Sequence, residues 1–255
     1  MRAATCVVAA LCLVLTAPGI ASADPPDGDQ LRYAGELLSP SLVADSTPHG
    51  SHGAVLTGGG GNVISVADTA GDNYLRFPGG TCLVPPCAQA IVQPIGSATL
   101  IPDADGFGRF AFGADIRLTE EPSPAAGMNV FQFGAAGAGL SQWKLQVDYG
   151  RPSCRWSDGT TAVLLMGGEP RSRLPIGVWY RVRCARLSPV LFEIQILDRA
   201  SGELFGPPVQ QFAAVGPIRP TGTVAIGGKR IRDTQSDVDT DQFHGDLDEI
   251  FFWRQ

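Results

Sequence analysis

The chain has 255 residues, 44% of them hydrophobic and 17% charged, with a formal net charge of −6. Its lysines are Lys144 and Lys229 alone. That balance excludes a surface that holds nucleic-acid backbones or anionic lipid through bulk charge, while the length is ample for a core that does not depend on crosslinks.

The first residues read MRAATCVVAALCLVLTAPGIASA. Arg2 supplies a positive start, residues 3–16 an apolar run, and Ala21, Ser22 and Ala23 an A-x-A cleavage signal. The run is short for a bilayer span. The expectation is a secretory signal peptide over 1–23 and an exported, extracellular product with no membrane insertion after cleavage. Removing it leaves 255 − 23 = 232 residues and, since the segment holds one Arg and no acid, a net charge of −6 − 1 = −7. DPPDGDQ, residues 24–30, reads as a flexible leader.

Beyond the leader, glycine and proline are spread evenly, as in many short strands joined by turns. In RFAFGADIRL, Phe110, Phe112, Ala114, Ile116 and Leu118 fall on one face and Arg109, Asp115 and Arg117 on the other. WKLQVDY sets Trp143, Leu145, Val147 and Tyr149 against Lys144, Gln146 and Asp148. Tyr180, Val182 and Cys184 oppose Arg181 and Arg183, and Phe192, Ile194 and Ile196 oppose Glu193 and Gln195. This period of two, with no sustained helical stripe, predicts an all-β antiparallel sandwich with one face of each sheet on a core. DRASGE, 198–203, reads as a hairpin turn. LDEIFFW, 247–253, is almost continuously apolar after Glu249, which predicts a strand in a sheet interior, in contact with protein on both faces.

Cys6 and Cys12 leave with the signal, so Cys82, Cys87, Cys154 and Cys184 remain. An even number in an exported chain indicates two disulfides, with three possible connectivities. The short LVPP loop favours Cys82–Cys87, which leaves Cys154–Cys184. A four-thiolate zinc site would need tighter C-x-x-C pairs.

The segment FHGDLDEIFFWR resembles the closing signature of laminin-G-like domains in the concanavalin A-like lectin/glucanase superfamily. VADSTPHGSHGAVLTGG (43–59), NYLRFPGG (73–80), FAFGADIRL (110–118), PIGVWYRVRCAR (175–186) and TGTVAIGG (221–228) resemble that family's earlier blocks, in the same order. The resemblance covers residues 31–255. It implies a single laminin-G-like domain with a two-sheet antiparallel jelly-roll fold. Relatives often hold a structural calcium between the opening Asp-Ser turn and the closing strand, which carries over to Asp45 and Asp248, with Asp246 beside them. Function follows less directly, because this fold hosts lectins, adhesion modules, glycosidases and lyases.

Motifs for chemistry are sparse. Asp237, Asp239 and Asp241 are spaced D-x-D-x-D with Asp248 at the twelfth position, but Gln242 replaces the glycine and Asp the bidentate Glu of an EF-hand. The run Asp237–Asp241 therefore reads as a solvated loop. No E-x-D-x-E cluster supplies a glucanase acid pair, and Glu120 and Glu121, being adjacent, would point to opposite faces of a strand. No G-x-S-x-G elbow occurs. GGGGN, 58–62, lacks the Lys and Ser/Thr of a phosphate loop. His49 and His52 belong to a surface turn, and His244 abuts the acidic loop, where its charge can respond to pH. Trp143, Trp179 and Trp253 sit in strand patterns and read as core. Trp156, next to a turn in CRWSDG, is the expected ligand contact. The function expected is a secreted non-catalytic module that recognises a glycan or a protein. The alternatives are a divergent glycan-active hydrolase or lyase and an adhesion domain that binds only protein.

Overall fold

The computed structural model describes residues 28–96, 100–103, 105–121 and 127–255; the expected signal peptide and most of the leader lie outside them. In chain order the strands are β1 (Asp29–Tyr33), β2 (Leu37–Ser39), β3 (Leu42–Val43), β4 (Gly53–Gly58), β5 (Ile64–Ala67), β6 (Asn73–Arg76), β7 (Gln89–Pro94), β8 (Phe110–Leu118) and β9 (Gly127–Gly134). They continue with β10 (Gln142–Asp148), β11 (Arg151–Ser157), β12 (Ala162–Met166), β13 (Trp179–Ser188), β14 (Leu191–Asp198), β15 (Val209–Phe212) and β16 (Val224–Ile226). A one-turn helix α1 (Asp237–Thr240) precedes β17 (Gly245–Arg254). Strands pair antiparallel into two sheets. The first runs β15-β14-β13-β8-β17-β6-β5 with β1 added beside β17; the second runs β12-β11-β10-β9-β16-β7-β4-β3-β2. The expected two-sheet β-sandwich is what the chain forms.

The alternation seen in the sequence sets the interior. Phe110, Phe112 and Phe252 of the first sheet meet Phe131, Trp143 and Trp156 of the second in one buried cluster. Phe112 lies 4.5 Å from Trp143 between ring centroids, and Trp143 5.3 Å from Phe252. Tyr149 departs from the expected inward face. It closes the β10–β11 hairpin with φ 51° and is exposed.

β17 occupies the interior of its sheet, as expected. β8 flanks one side, while β6 and then β1 flank the other. A strict two-residue period would turn Glu249 toward the core after Leu247. Instead the register shifts between Asp248 and Phe251, and Glu249 adopts φ 45°. This bulge resets the phase, so Leu247, Ile250 and Phe252 all face inward. Phe251 and Trp253 face the other side, against Ala111, Ala185 and Leu187.

Both expected disulfides form: Cys82–Cys87, with Cα atoms 5.6 Å apart, and Cys154–Cys184, at 5.7 Å. The second joins β11 of one sheet to β13 of the other. Two such bonds fit an oxidising, extracellular environment. Among the described residues no helix is long and apolar enough to cross a membrane.

Candidate functional site

Trp156 is not where the sequence placed it. Its side chain is fully buried, 5.2 Å from Phe192 and 6.0 Å from Phe112 between ring centroids. On β11 it shares the inward face with Cys154, so the turn that follows does not bring it to the surface, and it offers no ring to a ligand. Trp179 and Trp253 also differ from expectation, lying on the outer face of the first sheet rather than between the sheets.

The three carboxylates implied as calcium ligands are held by other partners. Asp45 caps its own turn. It accepts hydrogen bonds from the amides of Arg32 (3.1 Å), Thr47 (3.0 Å) and Ser51 (2.7 Å) and from Thr47 Oγ1 (2.9 Å). His52 Nδ1 accepts from the Asp45 amide, which gives that histidine a turn-building role. Asp246 is fully buried between two arginines: Arg76 Nε donates to Oδ1 at 2.8 Å and Arg117 Nη2 to Oδ2 at 2.7 Å. Asp248 accepts from Arg199 Nη1 at 2.7 Å and from the Glu249 amide. Burial pushes the Asp248 carboxyl above the usual range, against the pull of Arg199. Among the described residues no group of three or more His, Cys, Asp or Glu side chains is placed to share a metal ion. This donor set does not fit calcium, because guanidinium groups and amides already satisfy the oxygens a cation would need.

Asp246 and Asp248 belong to a closed network on the outer face of the first sheet. Arg181 Nε donates to buried Asp115 at 2.8 Å, and Arg199 Nε lies 3.3 Å from the same carboxylate. The Arg117 guanidinium sits 4.7 Å from the ring centroids of both Tyr74 and Trp179. Beside it, Glu36, Asp72, Asp248, Glu249 and Arg199 line a hollow of about 260 Å³. Asp248 and Glu249 are adjacent there, but they are tied to Arg199 and Arg32 respectively.

The acidic run Asp237–Asp241 is not a solvated loop either. It forms α1 and fixes what surrounds it. Asp237 is buried and accepts from the Cys82 amide at 2.6 Å, while His244 Nε2 lies 3.1 Å away. Asp239 accepts from Ser236 Oγ at 2.7 Å. Asp241, at the end of α1, holds Lys144 Nζ at 3.2 Å and lies 3.9 Å from Lys229 Nζ.

That last pair opens onto the outer face of the second sheet, where the side chains opposite the core line a cleft of about 510 Å³. Gln142, Lys144 and Gln146 of β10, Gln132 of β9 and Arg155 of β11 form its floor, with Thr221, Thr223 and Lys229 on its wall. Gly134 ends the floor at φ 83°, where a Cβ would stand 2.2 Å from the Ser141 carbonyl oxygen, so only glycine fits this turn. Register places Arg155, Lys144 and Gln132 in one row across three strands. Burial holds the Lys144 ammonium below the ordinary lysine value, although Asp241 pulls the other way. Among the described residues lining the cleft there is no aspartate or glutamate. Sequence periodicity puts Lys144 and Gln146 on the polar side of their strand, and nothing in it joins them to Gln132, Arg155 or Thr221.

No protein-family model matches the sequence, and no curated protein matches it. Solved structures do match its fold. The chain is similar to toxin binding domains. The binding domain of Paraclostridial Mosquitocidal Protein 1 superposes with a TM-score of 0.56 at 11% identity, over 90% of this chain and 49% of that one. The binding domain of Botulinum Neurotoxin DC, in complex with SialylT, superposes with a TM-score of 0.55 at 12% identity, over 89% and 48%. The same domain in complex with rat synaptotagmin II gives 0.53 at 12% identity, over 89% and 48%. The chain thus spans about half the length of the domains it resembles. At this identity the likeness is one of fold.

Proposed function

We propose that the chain is an exported, non-catalytic binding module of laminin-G-like type, and that it holds a glycan in the cleft on the outer face of the second sheet. One observation carries the reading: the cleft gathers three amide side chains, two hydroxyls and three cations in one hollow. Fixed polar groups of this kind read sugar hydroxyls, and groups carried on a rigid sheet hold their geometry better than groups on loops. The toxin domains of similar fold, one of them in complex with SialylT and, separately, with rat synaptotagmin II, support a binding role over a catalytic one.

A hydrolase needs two carboxyl groups facing each other across the scissile bond. The described lining of this cleft supplies none, and of the four acids lining the smaller hollow, Asp248 and Glu249 are held by arginines. A protein partner is the second reading, favoured by Phe212, exposed at 76% on edge strand β15. A glycan array, run with and without calcium, tests the proposal. Binding to a defined set of glycans is expected. Binding to none under either condition moves the function to a protein partner.

A further inference from the structure

We propose that the cleft selects an anionic glycan, one bearing a carboxylate or sulfate, whose charged group sits between Arg155 and Lys144. This rests on the glycan reading of the cleft and names the class of ligand.

The register carries the argument. Lys144 and Arg155 are directly opposite each other on β10 and β11. Like charges at such positions, with Cβ atoms about 5 Å apart, repel and destabilise the sheet. A chain that keeps such a pair needs an anion beside it. Asp241 supplies one to Lys144, and Lys229 shares that same carboxylate. Arg155 has none: among the described residues its guanidinium has no hydrogen-bond or ion-pair partner, and its Nε is buried without one. The neighbouring acid on β10, Asp148, is taken up by Gln146 and Ser153 Oγ. On the far side Arg155 pairs in register with Leu164, which has no charge to offer. Two lysines therefore share one carboxylate, and the guanidinium beside them, left without one, lines the cleft.

A planar guanidinium matches a carboxylate or sulfate bidentately, and such charge-assisted bonds are roughly twice as strong as neutral ones. The amides of Gln132, Gln142 and Gln146 and the hydroxyls of Thr221 and Thr223 stand around it to hold ring hydroxyls. The net charge of −6 repels long polyanions at a distance, so the fit is to a short oligosaccharide or a chain end rather than to nucleic acid.

The test pairs anionic glycans with neutral counterparts of the same backbone: oligogalacturonate with its methyl ester, chondroitin sulfate oligosaccharide with unsulfated chondroitin, and sialyllactose with lactose. Each is titrated calorimetrically into the wild-type protein and into R155Q. The charged member of at least one pair is expected to bind about tenfold tighter than its neutral partner. R155Q should lose that preference, its affinity for the charged member falling to that for the neutral member of the same pair. R155Q should also melt at or above the wild-type temperature, since it removes repulsion, so lost binding would not reflect lost folding. The responding pair distinguishes carboxylate from sulfate. Equal binding of charged and neutral members, or an unchanged preference in R155Q, overturns the anion inference and leaves glycan binding intact. No binding to any member, with an acidic peptide bound instead, overturns both.

Discussion

The outer faces of the two sheets are both polar, yet they resolve their charges in opposite ways. On the first sheet, Asp115, Asp246 and Asp248 are buried beneath Arg76, Arg117, Arg181 and Arg199, and Tyr74 and Trp179 stack on the guanidiniums. That face is complete without a ligand. On the second sheet, Lys144 and Lys229 share the single carboxylate of Asp241, Arg155 is left beside them without a counter-ion among the described residues, and a hollow stands over all three. The charged residues most conspicuous in the sequence, those of the closing strand, are structural. The proposed site lies instead among polar residues of the second sheet, of which Arg155 has no counter-ion among the described residues.

The sharpest way to break this contrast is to open the closed face. D246N leaves Arg76 and Arg117 without their shared carboxylate. Removing one partner of a buried pair typically costs 3–5 kcal/mol, and the value here should fall near about 3 because Arg76 can reach water. Denaturant unfolding would show it, and glycan binding on the other sheet should be unaffected in the folded fraction. Next in size is the link between the two sheets. Replacing Cys154 and Cys184 together by alanine opens a crosslink between residues 30 apart and should lower stability by about 2–4 kcal/mol in the same assay.

A smaller effect separates the loop that joins the faces from both of them. His244 sits with Nδ1 2.7 Å from the Pro78 carbonyl oxygen and Nε2 3.1 Å from Asp237. Both neighbours are acceptors, which suits a ring protonated on both nitrogens. Burial opposes that charge, but the bonds to Asp237 and Pro78 and the nearby Glu120 outweigh it and raise the histidine above its ordinary 6.5. A raised value means the contribution is full below about 6.5 and is lost as pH rises through the folded-state value. Melting temperature should therefore fall across that range in the wild type. In H244Q the pH-dependent part of the fall should vanish; an identical profile would remove the role. The smallest expected effect is none. Chelation should leave the melting temperature unchanged, because Asp45 and Asp246 already have their partners.

Much of the fold was legible because the core strands alternate cleanly, and four of them were placed by that signal alone. The bulge at Glu249 was not, since the sequence shows only a nearly continuous apolar run there. A local left-handed residue, not a longer strand, reconciles that run with a single buried face. Trp179 was readable in principle, as its parity groups it with Arg181 and Arg183 rather than Tyr180, and aromatic bulk was the wrong guide. Trp156 was misread because the turn after it outweighed its shared parity with Cys154. The cleft was the least legible part. Parity identifies the polar side of β9, β10 and β11 but not that these sides curve into a hollow, and the Asp241 to Lys144 contact spans 97 residues.

Arg155 follows Cys154 directly along β11, with its side chain turned outward while the sulfur turns inward to the opposite layer. The proposed anion contact and the rivet between the layers are thus consecutive residues on a single strand. If the proposed ligand binds at Arg155, a tug on it would reach a covalent bond after one peptide unit and spread from there into the second layer, so that the contact would be mechanically anchored.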